Sequence, residues 1–409
     1  MTPVTETIMY PFLFLALYFE VFAVLTFFDR DARRRRMQKP SENYDSVAII
    51  VPCFNEEKTV GKAAESLLAL DYPADKLTVV LVDDGSTDDT ARVMDSYASN
   101  PRVRIIHKEN GGKHTALNAG IALTTTDFIG CLDADSFAAP DALKEVMSHF
   151  DDERIGAVTA SMSVHAPKSI LQRMQAAEYL LGIALRHILA TWNGLYVTPG
   201  PLSVFRRKVF QELGPFTPAH NTEDMEIAMR MQRAGWKIQN APRAQVFTNA
   251  PRTLGAIVKQ RTRWTTGFIK NGFDYRDLFG NPRYGVLGLL VLPLGIFSIL
   301  SGIVLFFIVL LEGLRSIVNT VTRILEVPFT FTLPTFDWFF APVSALAILA
   351  VIAIVISVAL MLTGASISRT KTSLGPSVLW YLALYAFVAP LWLIRSVSDV
   401  TLGITRSWR

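Results

Sequence analysis

Long apolar stretches stand at both ends of this chain with a mixed polar block between them, and that segregation restricts the fold more than any other feature. Ile8 to Phe28 carries Glu20 as its one charged residue. At about 20 residues it is long enough to cross a hydrocarbon core of roughly 30 Å. Gly285 to Leu311, Ala341 to Thr363 and Ser377 to Ile394 are comparable. With 50% hydrophobic and 19% charged residues over 409 positions, the whole is too apolar for one ordinary soluble fold. The first stretch has neither a basic leader nor a small-residue cleavage site, so it reads as an anchor and not a cleaved signal. The basic cluster behind it, Arg30, Arg33, Arg34, Arg35, Arg36 and Lys39, favours the cytoplasmic side and contact with anionic lipid. It lacks interleaved aromatics, which argues against a nucleic-acid partner. Glu20 is expected to face other helices or a channel, because a carboxylate against lipid is costly.

Between Asp29 and Tyr284 the pattern is that of a globular domain. Ser46 to Cys53, Leu77 to Val82, Val103 to His107 and Asp127 to Leu132 read as strands; Thr59 to Leu70, Asp88 to Tyr97 and Lys113 to Leu123 read as helices. That alternation predicts a parallel, doubly wound α/β sheet, whose ligands bind outside the carboxyl ends of the strands. Two amphipathic helices follow. Ile170 to Leu189 either packs on the sheet or lies in the membrane interface; Thr253 to Phe273, basic and running into a span, is assigned to the interface. Cys53 and Cys131, with no His nearby, read as buried small hydrophobes.

The chemistry-bearing residues fall at the predicted strand ends. Asp133 and Asp135 flank Ala134 just after a strand, and alternate hard oxygen ligands there suit Mg²⁺ or Mn²⁺. Asp83 and Asp84 are placed to bind the base or ribose of a nucleotide, or to make an Asp-Gly turn and helix cap. Lys113, after a glycine pair at a helix start, suits a phosphate. Thr222-Glu223-Asp224 opens a helix; Asp224 is read as a general base, and Glu223 and Glu226 as helix-stabilising charges, with Glu223 also counted among the substrate-binding residues. Arg263 can pair with a diphosphate, and Trp264 can stack on a sugar ring or serve as an interfacial anchor.

Taken together, VPCFNEE, VDDGSTDDT, NGGKHTALNAG, LDADS, the TED triplet and QRTRW occur in the order found in processive family 2 glycosyltransferases, which the chain resembles from about Ser46 to Phe268. Cellulose, hyaluronan, chitin-oligosaccharide and poly-N-acetylglucosamine synthases belong there. The resemblance implies a cytoplasmic GT-A fold, a mixed and mostly parallel sheet inserted between transmembrane helices, feeding polymer into a membrane channel. It implies that Asp83 and Asp84 bind the uridine end of a UDP-sugar, Asp133 contacts UDP, Asp135 holds Mg²⁺ or Mn²⁺, and Lys113 approaches the donor phosphates. Asp224 becomes the base, and Gln260, Arg263 and Trp264 line the acceptor entrance and clamp the diphosphate. Single displacement with one base predicts inversion. UDP-N-acetylglucosamine leads as donor, ahead of UDP-glucose.

The expected divisions are 1–40 for the anchor and its basic flank, 41–250 for the catalytic domain, 251–284 for the interfacial helix and 285–409 for about three membrane segments. Arg395, Arg406 and Arg409 pull the tail inside, which four spans would not allow; Pro376 and Pro390 mark the last segment as the expected irregular one. The expected partners are the UDP-sugar, a polysaccharide acceptor and the bilayer, with a small accessory subunit or a homo-oligomer as further partners. Two alternatives stay open: a transferase adding one sugar to a lipid acceptor, and a scaffold with a dead transferase domain.

Overall fold

A computed structural model of the protein describes residues 3–28, 44–326, 344–370 and 374–404. The basic cluster from Arg30 to Lys39, residues 341–343 and the tail arginines Arg406 and Arg409 lie outside the described residues. The chain opens with helix α1 (Pro3–Phe27). The sheet domain then runs β1 (Val47–Cys53), α2 (Val60–Leu68), β2 (Leu77–Asp83), α3 (Thr90–Asp95), β3 (Val103–His107), α4 (Lys113–Leu123), β4 (Phe128–Cys131) and β5 (Ser136–Ala138). It continues through α5 (Ala142–Met147), β6 (Ile155–Val164), α6 (Ile170–Thr191), β7 (Ser203–Arg206), α7 (Arg207–Leu213), α8 (Glu223–Arg233) and β8 (Lys237–Thr248). Four long helices follow: α9 (Leu254–Asp274), α10 (Leu292–Glu326), α11 (Ala345–Ser368) and α12 (Leu374–Thr401).

The eight strands form one sheet in the order β3-β2-β1-β4-β7-β6-β8-β5. Strands β3, β2, β1 and β4 are parallel, so all four end at the same edge. Register pairs Cys53 with Asp83 and Asp83 with His107. The sheet turns mixed at β7, which runs antiparallel to both β4 and β6, while β6 and β8 are parallel. β1 is buried along its whole length, as a continuous β-branched run should be when helices cover both faces. Ile49, Val79 and Leu143 pack on one face and Ile50, Val80, Phe205 and Ile227 on the other.

α6 packs on the sheet, as one of the two readings expected, and also against an apolar helix. Ser169 and Gln172 make a reciprocal capping box at its start, and the Gln172 and Gln175 amides donate to the Ala250 and Pro251 carbonyls beyond β8. Leu180 and Ile183 of the same helix pack on Met361 of α11. Four helices, Thr7–Phe27, Leu287–Glu326, Ala345–Ser368 and Leu374–Thr401, are long and apolar enough to cross a membrane. Glu20 turns to a neighbouring helix, accepting from Ser357 Oγ of α11 at 2.6 Å.

Three readings are corrected. The helix expected over Asp88 to Tyr97 shortens to Thr90–Asp95, because Asp88 takes the Thr90 amide and hydroxyl into a turn. The second apolar segment runs on to Glu326 instead of ending near Leu311. The last segment is a continuous helix through Pro390, and the irregular backbone is a π-helical turn at Leu287–Val291. Proline removes one donor but can be carried where neighbouring helices brace the chain.

Candidate active site

Lys113 is the residue that gathers the carboxylates. It begins α4, and its side chain is nearly enclosed. The ammonium lies 2.6 Å from Asp133 Oδ1 at the end of β4 and 3.3 Å from Glu223 Oε1 at the start of α8. Burial alone would depress its pKa, yet Asp133, Glu223 and Asp224 together hold the ammonium charged and above the usual lysine range. Three segments far apart in sequence therefore meet on one cation. Glu223 does stand in the first turn of α8, and it is also buried and bound to that cation.

Asp224 stands beside this cluster, half-buried. Its carbonyl oxygen accepts from both the amide (3.0 Å) and the hydroxyl (2.8 Å) of Thr198, which fixes the backbone that presents the side chain. Burial pushes its pKa up to about 6, helped by Glu223 and opposed by Lys113 and Arg263. A carboxylate poised there can accept a proton near neutral pH. Asp135 is likewise pushed up to about 6, by burial first and then by Asp133 and Glu56; Ser136 Oγ donates to it at 3.1 Å. Among the described residues no three His, Cys, Asp or Glu side chains cluster as a ready metal cage. The Asp133–Asp135 pair nonetheless fits a hard divalent ion: it holds crowded, desolvated negative charge that such an ion would neutralise, with other ligands left to phosphate oxygens. A Cβ on Gly200 would strike the Asp133 carboxylate, so glycine there lets the backbone before β7 close over it.

Asp83 and Asp84 are not turned into this cluster. Both are buried. Asp84 accepts from Lys108 Nζ (2.6 Å) and from the amides of Gly111 (3.1 Å) and Gly112 (2.8 Å), and so shapes the loop that delivers Lys113. Asp83 accepts from the Ser86 amide at 3.0 Å and faces His107 Nδ1 at 3.3 Å. Glu226 is structural, taken by Arg230 and the Tyr275 hydroxyl.

The helix carrying Gln260, Arg263 and Trp264 packs against the start of α8. α9 approaches Thr222 so closely that a Cβ on Gly267 would overlap the threonine side chain. Asn271, fully buried, donates to Thr222 Oγ1 at 2.8 Å. Arg263 is brought into electrostatic reach of Asp224. Trp264 has Arg261 over its ring at 4.2 Å, and Arg261 pairs with Glu178 of α6 at 2.8 Å. Gln260 Oε1 is buried without a hydrogen-bond partner among the described residues. Sequence reasoning missed Arg261–Glu178, Asn271 and Gly200; the carboxylate of Glu178 inside an apolar helical stretch was the available signal for the first.

Cys53 and Cys131 are buried free thiols, held protonated by burial, that of Cys131 pushed up to about 12. Neither takes part.

Comparison with known proteins agrees with this arrangement. The family model described as "Glycosyltransferase like family 2" matches residues 45–267, more than half of the chain. A poly-beta-1,6-N-acetyl-D-glucosamine synthase of Staphylococcus aureus (strain COL) is 31% identical over 264 residues, and one of Staphylococcus epidermidis is 27% identical over the same span. Each match covers 63% of this chain and 63% of the relative, so the chain spans somewhat less than two thirds of those proteins. A mannosyltransferase from Pyrobaculum calidifontis, solved in complex with GDP-Man and Mn²⁺, superposes with a TM-score of 0.60 over 96% of this chain and 99% of its own, at 19% identity. That likeness concerns the fold. The sheet domain is a GT-A domain flanked by long apolar helices, and the chain belongs to the family 2 glycosyltransferases.

Proposed function

We propose that the chain is an inverting, processive β-glycosyltransferase that adds sugar from UDP-N-acetylglucosamine to a growing polysaccharide and passes it across the membrane. The observation that carries this is the meeting of Lys113, Asp133 and Glu223 beside Asp224, with Arg263 facing them from α9. Asp224 takes the proton from the attacking sugar hydroxyl. Lys113 and Arg263 offset the negative charge of the departing diphosphate. Asp133 and Asp135 would hold Mg²⁺ or Mn²⁺, which when bound supplies Lewis-acid stabilisation of diphosphate oxygens. The loop shaped by Asp83 and Asp84 receives the uridine end. One base with no covalent sugar intermediate leads from an α-linked donor to a β-linked product.

Export is supported by a run of polar and aromatic side chains leading from α9 in among the apolar helices. Tyr385 lies within electrostatic reach of Glu178 and Arg261, stacks on Tyr381 at 4.6 Å, and Tyr381 reaches Glu20. Polar groups are kept at that depth for function. We place the sheet domain on the cytoplasmic face of a multi-pass cell-membrane protein, where UDP-sugars are made. The names of the relatives favour N-acetylglucosamine.

The purified protein should be incubated with individual UDP-sugars and Mg²⁺ or Mn²⁺, and its products sized and digested with linkage-specific glycosidases. Long β-linked chains from UDP-N-acetylglucosamine are expected. A single added sugar on a lipid would favour the non-processive alternative.

A further inference from the structure

Arg186 is a half-buried cation, its Nε and Nη2 enclosed, that the reaction above does not use. It lies near the end of α6, two turns past Tyr179 on the same side of the helix. Its Nη1 stands 3.6 Å from where a Cβ on Gly182 would be, so the side chain folds back over the preceding turn toward Tyr179. Tyr179 lies within electrostatic reach of Arg186 and of Asp135, and Arg261 sits over its ring at 5.5 Å. Through Tyr179, then, Arg186 is linked to the donor side of the site and to the helix that carries Trp264.

Among the described residues no carboxylate meets it. Glu178 is spent on Arg261. Arg186 Nε and Nη2 are buried with no hydrogen-bond partner among the described residues. Burial disfavours its charge, and Tyr179 gives the partial offset. A guanidinium offers a rigid fork of donors, and leaving them unmade away from water costs more than an ordinary hydrogen bond returns. α9 shows the complementary shortage: Gln260 Oε1 and the hydroxyls of Thr262 and Thr266 are buried without partners. Side chains short of both donors and acceptors suit a ligand whose hydroxyl groups do both, and aromatic neighbours suit the faces of its rings. A lipid phosphate fits less well, because Tyr179 is anchored on the sheet side, against Met162, Val164 and Ala250.

We propose that Arg186 is a glycan-binding residue: its Nε and Nη2 donate to hydroxyl or acetamido oxygens of the sugar chain leaving the site. This holds the chain between additions and lengthens the product. It rests on the polymerase reading above and adds the group that retains the product.

The test uses the full chain in nanodiscs with radiolabelled UDP-N-acetylglucosamine, comparing the natural protein with Arg186→Met and Arg186→Lys. Arg186→Met should cut the ratio of long to short products by about ten-fold or more, the scale of losing charge-assisted hydrogen bonds. UDP affinity should stay within about two-fold, and Arg186→Lys should recover part of the length. If the natural protein adds only one sugar, the polymerase reading fails and this inference with it. If it makes long chains and Arg186→Met matches their length, the inference alone fails. A length defect seen in phosphatidylglycerol but not in phosphatidylcholine nanodiscs would assign the guanidinium to lipid phosphate and overturn it. Should Arg186→Met lose its UDP affinity or its thermal transition, the Lys variant decides: natural product length there, where the fork is absent, would also overturn it.

Discussion

Asp224 and Asp135 are two carboxylates in neighbouring surroundings for which different tasks are proposed, and pH should separate them. A base must be unprotonated to work. Because burial pushes the Asp224 pKa up to about 6, turnover at saturating donor should fall as pH drops below about 6 and level off above it. Asp135 is pushed up to a similar value by burial and by Asp133 and Glu56. A divalent ion competes with that proton, so raising Mn²⁺ should recover its part of the acid limb and leave the Asp224 part in place. Asp224→Asn should lower kcat by about 10²–10⁴-fold, the usual span for a positioned base, with UDP binding nearly unchanged. Equilibrium UDP titration beside a turnover assay checks both; near-normal turnover in Asp224→Asn would remove it from the base role.

At the scale of elements, the contact between α9 and the start of α8 decides whether Arg263 and Asp224 face each other. Gly267 permits that approach and Asn271 fastens it to Thr222. Gly267→Val must push α9 away from Thr222, so kcat should collapse while UDP still binds on the far side of the cleft. Asn271→Leu leaves Thr222 Oγ1 without its buried amide donor and should cost about 1–3 kcal/mol, seen as a lower unfolding midpoint in detergent. The TED and QRTRW segments were each legible as strings. That a glycine and an asparagine downstream of QRTRW clamp the TED helix was not legible, since nothing local marks a packing partner about 50 residues away.

For the molecule as a whole, the ion pair Arg261–Glu178 joins α9 to α6, which bridges the sheet and the apolar helices. Its side chains are 6% and 20% exposed, so breaking it strands a buried charge. Glu178→Gln should destabilise by about 3–5 kcal/mol, while replacing both partners with apolar residues should cost far less. Unfolding transitions of the single and double variants check this. Orientation is testable separately: a cysteine placed at Ile404 should escape an impermeant thiol reagent in whole cells if the tail is inside, and labelling there would put it outside.

Residue order and hydrophobic period determined much of this protein. The apolar ends, the strand–helix alternation and the carboxylates at strand ends are local patterns, because side-chain periodicity and turn chemistry act over a few residues. Only the tertiary structure decided that Lys113 bridges Asp133 to Glu223, that Asp83 and Asp84 spend their oxygens on the neighbouring loop, that the Pro390 segment is one continuous helix, and that Arg186 keeps buried donors without partners among the described residues. Each depends on which distant groups share a desolvated space, and charge and hydrogen-bond energies there are set by neighbours in three dimensions, not by neighbours along the chain.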